Sequence, residues 1–141
     1  RERQIEALIE WIGRAVPPGA PIIIGGDFND WRNVLSPRLC AALGVEEAFD
    51  AFRTHRRRNR KVVYFVRDRL AQMGVDLEGA SSQMPRRVRA ARTFPALVPW
   101  LRMDRIYQRG FTVRHAQVLG GPAWARLSDH SPLVADIEIA R

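Results

Sequence analysis

Residues 21–29 read Pro-Ile-Ile-Ile-Gly-Gly-Asp-Phe-Asn, and this stretch decides the class of fold. Three consecutive β-branched residues predict a short strand, and a wholly apolar run of this length is typical of a strand buried on both faces. The paired glycines let the chain turn sharply as it leaves the strand. Two polar residues, Asp27 and Asn29, follow at once, so we expect them at the end of the strand.

The residues before this strand have the periodicity of an amphipathic helix from about Glu2 to Arg14. Apolar side chains recur at spacings of three and four residues, which places them on one face, and glutamates occupy the solvated face. A Pro-Pro-Gly sequence at 17–19 ends the helix. A helix followed by a buried strand favours a layered α/β domain. The apolar face comprises Ile5, Leu8, Ile9 and Ile12, and the solvated face comprises Glu2, Glu6 and Glu10.

Two further helices are predicted from local patterns. Ser36 as N-cap, Pro37 as first helical residue and Gly44 as terminator predict a short helix over 36–43. Residues 62–73 have apolar side chains at helical spacing. Their β-branched start leaves a strand open as the alternative.

The remaining chain divides into a loop and three strands. Residues 74–92 are rich in Gly, Ser, Pro and Arg and are expected to form a loop. Strands are predicted over 101–107, 111–118 and 133–139, with Arg109-Gly110 as a turn between the first two. The last strand alternates cleanly, which is typical of a strand with one buried face.

The length and composition limit the class of protein. The 141 residues are the length of one domain, and the longest apolar runs are too short to cross a bilayer. The start has no signal-peptide pattern. Cys40 is the only cysteine, which excludes an internal disulfide and a Cys-rich zinc site, and its apolar neighbours indicate a buried structural thiol. The lack of a disulfide fits a reducing compartment, and we expect a cytoplasmic protein.

The chain is basic, with 23 Lys and Arg against 15 Asp and Glu and a formal net charge of +8. A basic surface favours polyanionic partners such as nucleic acid or acidic lipid head groups. Lys61 is the only lysine, so a general preference for arginine explains the charge equally well. The charge is concentrated in residues 53–61, and we expect residues 54–90 to be a basic insertion or a flexible segment.

Asp27 and Asn29 are the first candidates for chemistry. If the strand geometry continues, side chains two apart share a face, so a carboxylate and an amide lie side by side. Such a pair can hold a water molecule and orient a phosphate. An ordinary Asp/Asn turn after a strand is the alternative that these residues alone leave open.

Asp104 and the segment Ser128-Asp129-His130-Ser131-Pro132 are the second group of candidates. Asp104 interrupts an apolar strand, and a buried carboxylate needs a partner because burying it unpaired is costly. That partner is either the adjacent arginine or the imidazole of His130. Asp129 suits Mg²⁺ as a hard oxygen ligand, and His130 titrates in a range that suits phosphoryl chemistry. The alternative is a capped loop with a surface histidine.

The motifs around Asp27, Asp104 and His130 follow one another along the chain in the order found in the C-terminal half of the endonuclease/exonuclease/phosphatase superfamily, which they resemble. This superfamily includes DNase I, abasic-site endonucleases, sphingomyelinases and inositol phosphatases. Small bacterial members are the more similar group. The resemblance covers about residues 1–53 and 91–139 and is specific for the superfamily rather than for a substrate. The motifs that carry it are Gly26-Asp27-Phe28-Asn29-Asp30-Trp31-Arg32-Asn33, Arg92-Thr93-Phe94-Pro95, Met103-Asp104-Arg105-Ile106-Tyr107 and Leu127-Ser128-Asp129-His130.

The resemblance implies a role for each matching position. Asp27 would position or deprotonate the attacking water, and Asn29 would hold that water or a phosphate oxygen. Asp129 would contact a divalent metal ion. That ion would be Mg²⁺, or Mn²⁺ in place of Mg²⁺. His130 would bond the scissile phosphate and stabilise its developing negative charge, and Asp104 would orient His130. The implied reaction is in-line hydrolysis of a phosphoester in nucleic acid or a phospholipid head group, with the metal as Lewis acid.

The same resemblance implies an α/β fold, the C-terminal half of a DNase I-like four-layer αββα sandwich. Its sheet would be mixed or mainly antiparallel, with helices on one face. Residues 1–141 would then form a single, partial domain, and the missing N-terminal half of that domain is an expected partner.

That missing half would supply an Asn, a metal-binding Glu and usually another histidine, which no motif of this chain supplies. His55 and His115 lack motif support and are expected to be non-catalytic. A catalytically incomplete basic module that binds nucleic acid or anionic lipid is therefore the alternative function.

Overall fold

The computed structural model of the protein describes residues 2–30, 32–72 and 90–140. All strand pairings within these ranges are antiparallel, in a three-stranded sheet of order β1-β3-β2 and a β4-β5 hairpin. The α/β class with antiparallel sheets is therefore confirmed. The elements are α1 (Glu2–Ala15), β1 (Ile22–Asp27), α2 (Leu35–Leu43), β2 (Glu46–Glu47), α3 (Ala48–Gln72), β3 (Asp104–Arg109), β4 (Phe111–Val118), α4 (Pro122–Ala125) and β5 (Leu133–Ile139).

The register of β1 against β3 sorts side chains between the two faces of the sheet. Ile24 lies opposite Tyr107, and both pack in the core under the helices. Ile23 is one residue along, so it faces the other way and is 52% exposed. The prediction that this strand is buried on both faces was therefore wrong for Ile23, because within the described residues helices pack on only one face of the strand.

The first core joins α1, α2 and the helix-facing side of β1 and β3. Its apolar stripe on α1 is the predicted one, and each fully buried aliphatic side chain in it contributes about 1.5–3 kcal/mol to folding. Burial raises the pKa of the Cys40 thiol at the edge of this core, which fits the expected structural role. The buried members are Ile5, Ile12, Leu35, Leu39, Leu43, Val45 and Tyr107.

Helix α2 is capped by a side chain at its N-terminus and by a left-handed glycine at its C-terminus. The Asp30 carboxylate accepts hydrogen bonds from the N–H groups of Val34, Leu35 and Ser36 at 2.8, 2.9 and 3.0 Å. The prediction of Ser36 as N-cap was wrong, because Asp30 already satisfies the first N–H groups and Ser36 lies inside the helix. The prediction of Gly44 as terminator is confirmed, since it adopts a left-handed φ of 62° and its N–H donates to the Cys40 carbonyl.

Helix α3 is longer than the sequence pattern suggested. It begins at Ala48, where the Glu47 carboxylate accepts hydrogen bonds from the following N–H groups, and it continues to Gln72. The helix predicted over 62–73 is thus confirmed for residues 62–72, and the strand alternative was wrong there. Residues 73–89, which include most of the predicted loop and the end of the 54–90 segment, lie outside the described residues.

The C-terminal strands form a second core with the start of α3. Phe49 and Phe52 pack on Ala116 and on neighbouring residues of the β4-β5 hairpin. The strands predicted over 111–118 and 133–139 are confirmed, with an irregularity between Val113 and His115. The strand predicted from Leu101 begins instead at Asp104, because Leu101 pairs with Phe94 in an isolated bridge.

No helix within residues 2–30, 32–72 and 90–140 is long and apolar enough to span a membrane.

Candidate active site

Two aspartates meet at one end of the β1-β3 pair. Asp27 is the last residue of β1 and lies opposite Asp104, the first residue of β3. Directly opposite residues share a face, and this face is the one that carries Ile23 rather than the helices. The Phe28 N–H extends the pairing by donating to the Met103 carbonyl at 3.0 Å. The fold therefore brings two carboxylates from distant segments to the same edge.

Asn29 is joined to Asp27 by a turn rather than by strand geometry. Its backbone N–H donates to Asp27 Oδ1 at 2.8 Å, and its side-chain Nδ2 lies 3.5 Å from Asp27 Oδ2. Asn29 adopts a left-handed φ of 52°, a conformation that asparagine tolerates better than most residues. The strand-based reason for their proximity was wrong, because the strand ends at Asp27, but the two side chains do lie together.

His130 is held by Asp104. Its Nδ1 lies 2.8 Å from Asp104 Oδ2; since an ionised carboxylate can only accept, Nδ1 carries a hydrogen and donates a hydrogen bond to Asp104. The pair is half-buried, and the Phe94 ring lies 5.0 Å from the imidazole, centroid to centroid. Of the two partners that the sequence left open for Asp104, the imidazole is the one that the structure selects.

The electrostatic environment favours the charged form of His130. The hydrogen bond to Asp104 raises the pKa of His130 above its ordinary value, and the Asp104, Asp27 and Asp129 charges act in the same direction. Partial burial opposes the shift but is the smaller effect, since the ring remains in contact with solvent. The imidazole is therefore protonated over a wider pH range than a free histidine.

Thr93 connects the segments that carry the Asp104–His130 pair. Its side chain is fully buried, and Oγ1 accepts hydrogen bonds from the N–H groups of Met103 and Asp104 at 3.4 and 3.3 Å. Its carbonyl accepts a hydrogen bond from the Ser131 N–H at 2.7 Å. One residue thus fixes the start of β3 relative to the loop that precedes β5.

Asp129 lies on that same loop with its side chain exposed. The loop is held by the Ala96 N–H, which donates to the Asp129 carbonyl at 2.7 Å, and by the His130 N–H, which donates to Ser128 Oγ at 3.0 Å. The Asp129 carboxylate makes no hydrogen bond within the described part of the chain, so it is available to a ligand from solution.

Arg105 supports the site from the other side of the sheet. It is buried, and Nη2 donates to the carbonyl of Asp30 at 2.9 Å. Asp30 in turn caps α2, so the turn that contains Asn29 is fixed at its C-terminal end. Sequence reasoning missed the support from Thr93, Asp30 and Arg105, although all three lie within the quoted motifs.

The two other histidines lie elsewhere. His55 is on α3, with Nε2 3.0 Å from Asn59 Nδ2, and His115 is on β4, with its ring 5.2 Å from that of Phe52. Neither side chain contacts the Asp104–His130 pair.

The side chains of the candidate site supply only part of the ligands that a divalent cation needs. Asp129 offers the hard oxygen atoms that Mg²⁺ prefers. Within residues 2–30, 32–72 and 90–140, however, no three His, Cys, Asp or Glu side chains are grouped closely enough to hold a metal ion. A complete metal site would therefore need water or ligands from beyond these residues.

Comparison with known proteins identifies the family of this chain. Residues 1–130 match the model of the endonuclease/exonuclease/phosphatase family. The chain belongs to that family. The match spans all the residues that meet at the Asp27–Asp104 edge.

Relatives include uncharacterized protein YbhP of Escherichia coli strain K12 and the protein of the same name from Shigella flexneri. Each is 32% identical over 139 residues, which cover 99% of this chain and 41% of the relative. The chain therefore spans less than half the length of these relatives. No solved structure matches it.

Proposed function

We propose that this chain carries the C-terminal part of a phosphoester-hydrolase active site, in which water attacks the phosphorus in line with the leaving oxygen. The observation that carries the proposal is the 2.8 Å contact between Asp104 and His130 at the edge where Asp27 and Asn29 also lie. Family membership supports the reaction class, since members of this family are generally hydrolases. The rest of the site is expected from the missing N-terminal half of the domain.

The chain's own residues divide the chemistry between water and phosphate. The Asp27 carboxylate is a proton acceptor for the attacking water, and Asn29 at its side orients that water or a phosphate oxygen. His130 presents Nε2, because Nδ1 is engaged by Asp104. A protonated imidazole there donates a hydrogen bond to a phosphate oxygen and stabilises its developing negative charge.

Asp129 is the residue of this chain that would hold Mg²⁺, or Mn²⁺ in its place. When bound, such an ion supplies Lewis-acid polarisation of the phosphate and neutralises charge. Mg²⁺ commonly keeps several water ligands and binds through one or two carboxylates, so an exposed aspartate is a suitable contribution.

The test uses the intact protein that contains this chain. Hydrolysis of bis-p-nitrophenyl phosphate, DNA and phospholipid is measured with Mg²⁺, with Mn²⁺ and with EDTA, for the wild type and for Asp27→Ala and Asp129→Ala. We expect metal-dependent hydrolysis that both substitutions reduce by about a hundredfold or more. Turnover that survives both substitutions, or is unaffected by EDTA, contradicts the proposal.

A second candidate is a basic binding module without turnover. The observation in its favour is the run of arginines on α3, where Arg57 and Arg58 are exposed. A nucleic-acid affinity that falls steeply with salt, together with an absence of turnover in the intact protein, would favour this function.

A further inference from the structure

Arg102 joins the segment before β3 to the start of α3. Its Nη2 atom donates to Glu47 Oε2 at 3.1 Å and to Asp50 Oδ2 at 3.0 Å. These two carboxylates lie 55 and 52 residues earlier in the chain, at the end of β2 and in the first turn of α3. Asp104, which holds His130, follows Arg102 after a single intervening residue. We call Arg102, Glu47 and Asp50 the ion-pair cluster.

The ion-pair cluster is firmly held, because two of its three members are largely buried. The Glu47 side chain is 5% exposed and that of Arg102 is 20% exposed. Glu47 also accepts hydrogen bonds from the N–H groups of Phe49 and Asp50, so its carboxylate has a fixed orientation. Burial raises the pKa of Glu47, whereas the positive charge of Arg102 opposes that rise. Arg102 therefore stabilises the ionised form of this buried carboxylate.

Stability alone is a poor explanation for the ion-pair cluster. Arg102 Nε is buried and has no hydrogen-bond partner within the described ranges of the chain. A buried donor without an acceptor costs free energy, and apolar side chains of similar volume often stabilise a protein as well as a buried ion pair does. Apolar packing does not fix a direction between two segments, whereas charge-assisted hydrogen bonds do. The cluster is better explained by the geometry that it imposes on the chain around Arg102.

That geometry concerns the segment that brings Asp104 to the candidate site. On the β1 side, the Phe28 N–H donates to the Met103 carbonyl at 3.0 Å. Thr93 Oγ1 accepts hydrogen bonds from the Met103 and Asp104 N–H groups, but at 3.4 and 3.3 Å both are longer than usual. The contacts of Arg102 are shorter and charge-assisted, and they restrain the same segment from the α3 side.

We propose that Arg102 is a positioning residue of the candidate active site. It binds Glu47 and Asp50 at the start of α3. Through them it keeps the Asp104 carboxylate in place beside Nδ1 of His130. Arg102 acts through Asp104 and not on a substrate, because its guanidinium is largely buried and is bound to two carboxylates. The inference rests on the proposed function for its effect on rate, and on the ion pairs alone for its effect on the imidazole.

The test compares Arg102→Gln and Arg102→Lys in the intact protein. Glutamine removes the positive charge that lies between Glu47 and Asp50. Lysine keeps that charge, and because one nitrogen atom makes both contacts in the wild type, an ammonium group can replace it. Arg114→Gln is the matched control: Arg114 donates to Glu138 at 2.7 Å, but both side chains of that ion pair are exposed, and it links β4 to β5.

The first readout is the position of the hydrogen on the neutral His130 ring, measured from ring-nitrogen chemical shifts by NMR at alkaline pH. In the wild type, the contact with Asp104 keeps this hydrogen on Nδ1. We expect Arg102→Gln to move a substantial share of it to Nε2, because Asp104 is no longer held in place. Arg102→Lys and Arg114→Gln should keep the wild-type distribution. A loss of stability that leaves the site intact would not alter this distribution.

The second readout is hydrolysis of bis-p-nitrophenyl phosphate. Arg102→Gln should lower kcat by about tenfold, the low end of the loss expected when the support of a functional histidine is removed. KM should change little, because no group that contacts the substrate is removed. In an Asp104→Asn background, Arg102→Gln should lower kcat by no more than about twofold further, since both substitutions act on the same hydrogen bond.

Asp50→Asn keeps the proposal testable if Arg102→Gln fails to fold. It weakens one contact of Arg102 and leaves the buried pair with Glu47 in place. We expect its kcat to be lower than that of the wild type and part of the ring hydrogen to move to Nε2. Wild-type values in every folded variant, a lower kcat with an unchanged ring, full effects that multiply with Asp104→Asn, or an equal change in Arg114→Gln would overturn the proposal.

The two readouts separate this inference from the proposed function. If the wild type hydrolyses no phosphoester, the proposed function fails, while a shifted ring hydrogen in Arg102→Gln still supports the positioning role. If hydrolysis depends on His130 but Arg102→Gln changes neither readout, the positioning role fails and the proposed function stands.

Discussion

The Nδ1 atom of His130 lies 2.8 Å from Oδ2 of Asp104, and this contact joins the loop before β5 to the first residue of β3. The carboxylate fixes which ring nitrogen carries the proton and turns Nε2 away from β3. Since Asp104 also lies opposite Asp27, one hydrogen bond aligns the imidazole with a second carboxylate. The geometry of the candidate site thus depends on sheet register as well as on local sequence.

Asp104→Asn should lower both the activity of the intact protein and the pKa of His130. The amide oxygen can accept the hydrogen bond but carries no negative charge to stabilise the imidazolium, so we expect the rate to fall by about 10- to 100-fold. Since Asp104 raises the pKa of His130, its loss should shift the high-pH limb of the activity profile to lower pH. A pH–rate profile and an NMR titration of the His130 ring measure the two effects.

The same hydrogen bond makes a pH-dependent contribution to stability. Because the folded-state pKa of His130 is raised, that contribution is complete below the ordinary histidine pKa and is lost as pH rises through the raised value. The difference in unfolding free energy between wild type and Asp104→Asn should therefore be larger at acidic than at alkaline pH. A difference that grows toward alkaline pH would contradict the assignment.

Thr93→Val should separate positioning from packing. Valine preserves the shape of this fully buried residue but removes the acceptor of the Met103 and Asp104 N–H groups, so stability should fall by about 1–3 kcal/mol. We expect a lower rate and a His130 pKa closer to the ordinary value. Thr93→Ser keeps the hydroxyl, so the pKa of His130 should remain raised as in the wild type, even though this variant loses a buried methyl group. An unchanged pKa in the valine variant argues against the positioning role.

Asp30→Ala should destabilise α2. Three buried or partly buried N–H groups lose their acceptor, and loss of a helix cap costs about 1–2 kcal/mol. Urea unfolding measures the change, with Glu10→Ala as control because the Glu10–Arg14 ion pair is exposed on both sides. Equal stability of the two variants would show that the cap contributes little.

Gly110→Ala tests the turn between β3 and β4. Gly110 has a φ of 82°, and an added Cβ would lie 3.1 Å from the Pro21 Cα atom. We expect a loss of more than about 1 kcal/mol in unfolding free energy. Gly120→Ala is the matched control, since a Cβ there meets nothing within 4 Å. Identical melting temperatures for the two variants would rule out the predicted strain.

The sequence predicted those parts of the fold that depend on local periodicity. The apolar stripe of α1 and the alternation of residues 133–139 each predict an element with one apolar face, and both elements lie where expected. The apolar face of β5 is only partly buried, and Ile139 at its end is 71% exposed. Helix α3 was recognised only in its second half, because the cationic run at 53–61 hides the periodicity. Its first turn is anchored by Phe49 and Phe52, whose partners on β4 and β5 are more than 60 residues away.

The candidate site was predictable in its residue types but not in its supports. Asp27, Asp104 and His130 follow from the motifs, whereas the choice of His130 over Arg105 as partner of Asp104 depends on the pleat of β3. Adjacent residues face opposite sides, so Arg105 points to Asp30 and α2. Thr93 lies within a quoted motif, but its supporting role was not predictable, because its hydrogen bonds connect segments that only the tertiary fold brings together.

The most direct test is the hydrolysis of bis-p-nitrophenyl phosphate by the intact protein with His130 replaced by Ala, compared with His115→Gln. We predict that His130→Ala lowers the rate by about a hundredfold or more, while His115→Gln, altered on β4 beside Phe52, retains the rate of the wild type. Equal rates for His130→Ala and the wild type, with both proteins folded, would contradict the account.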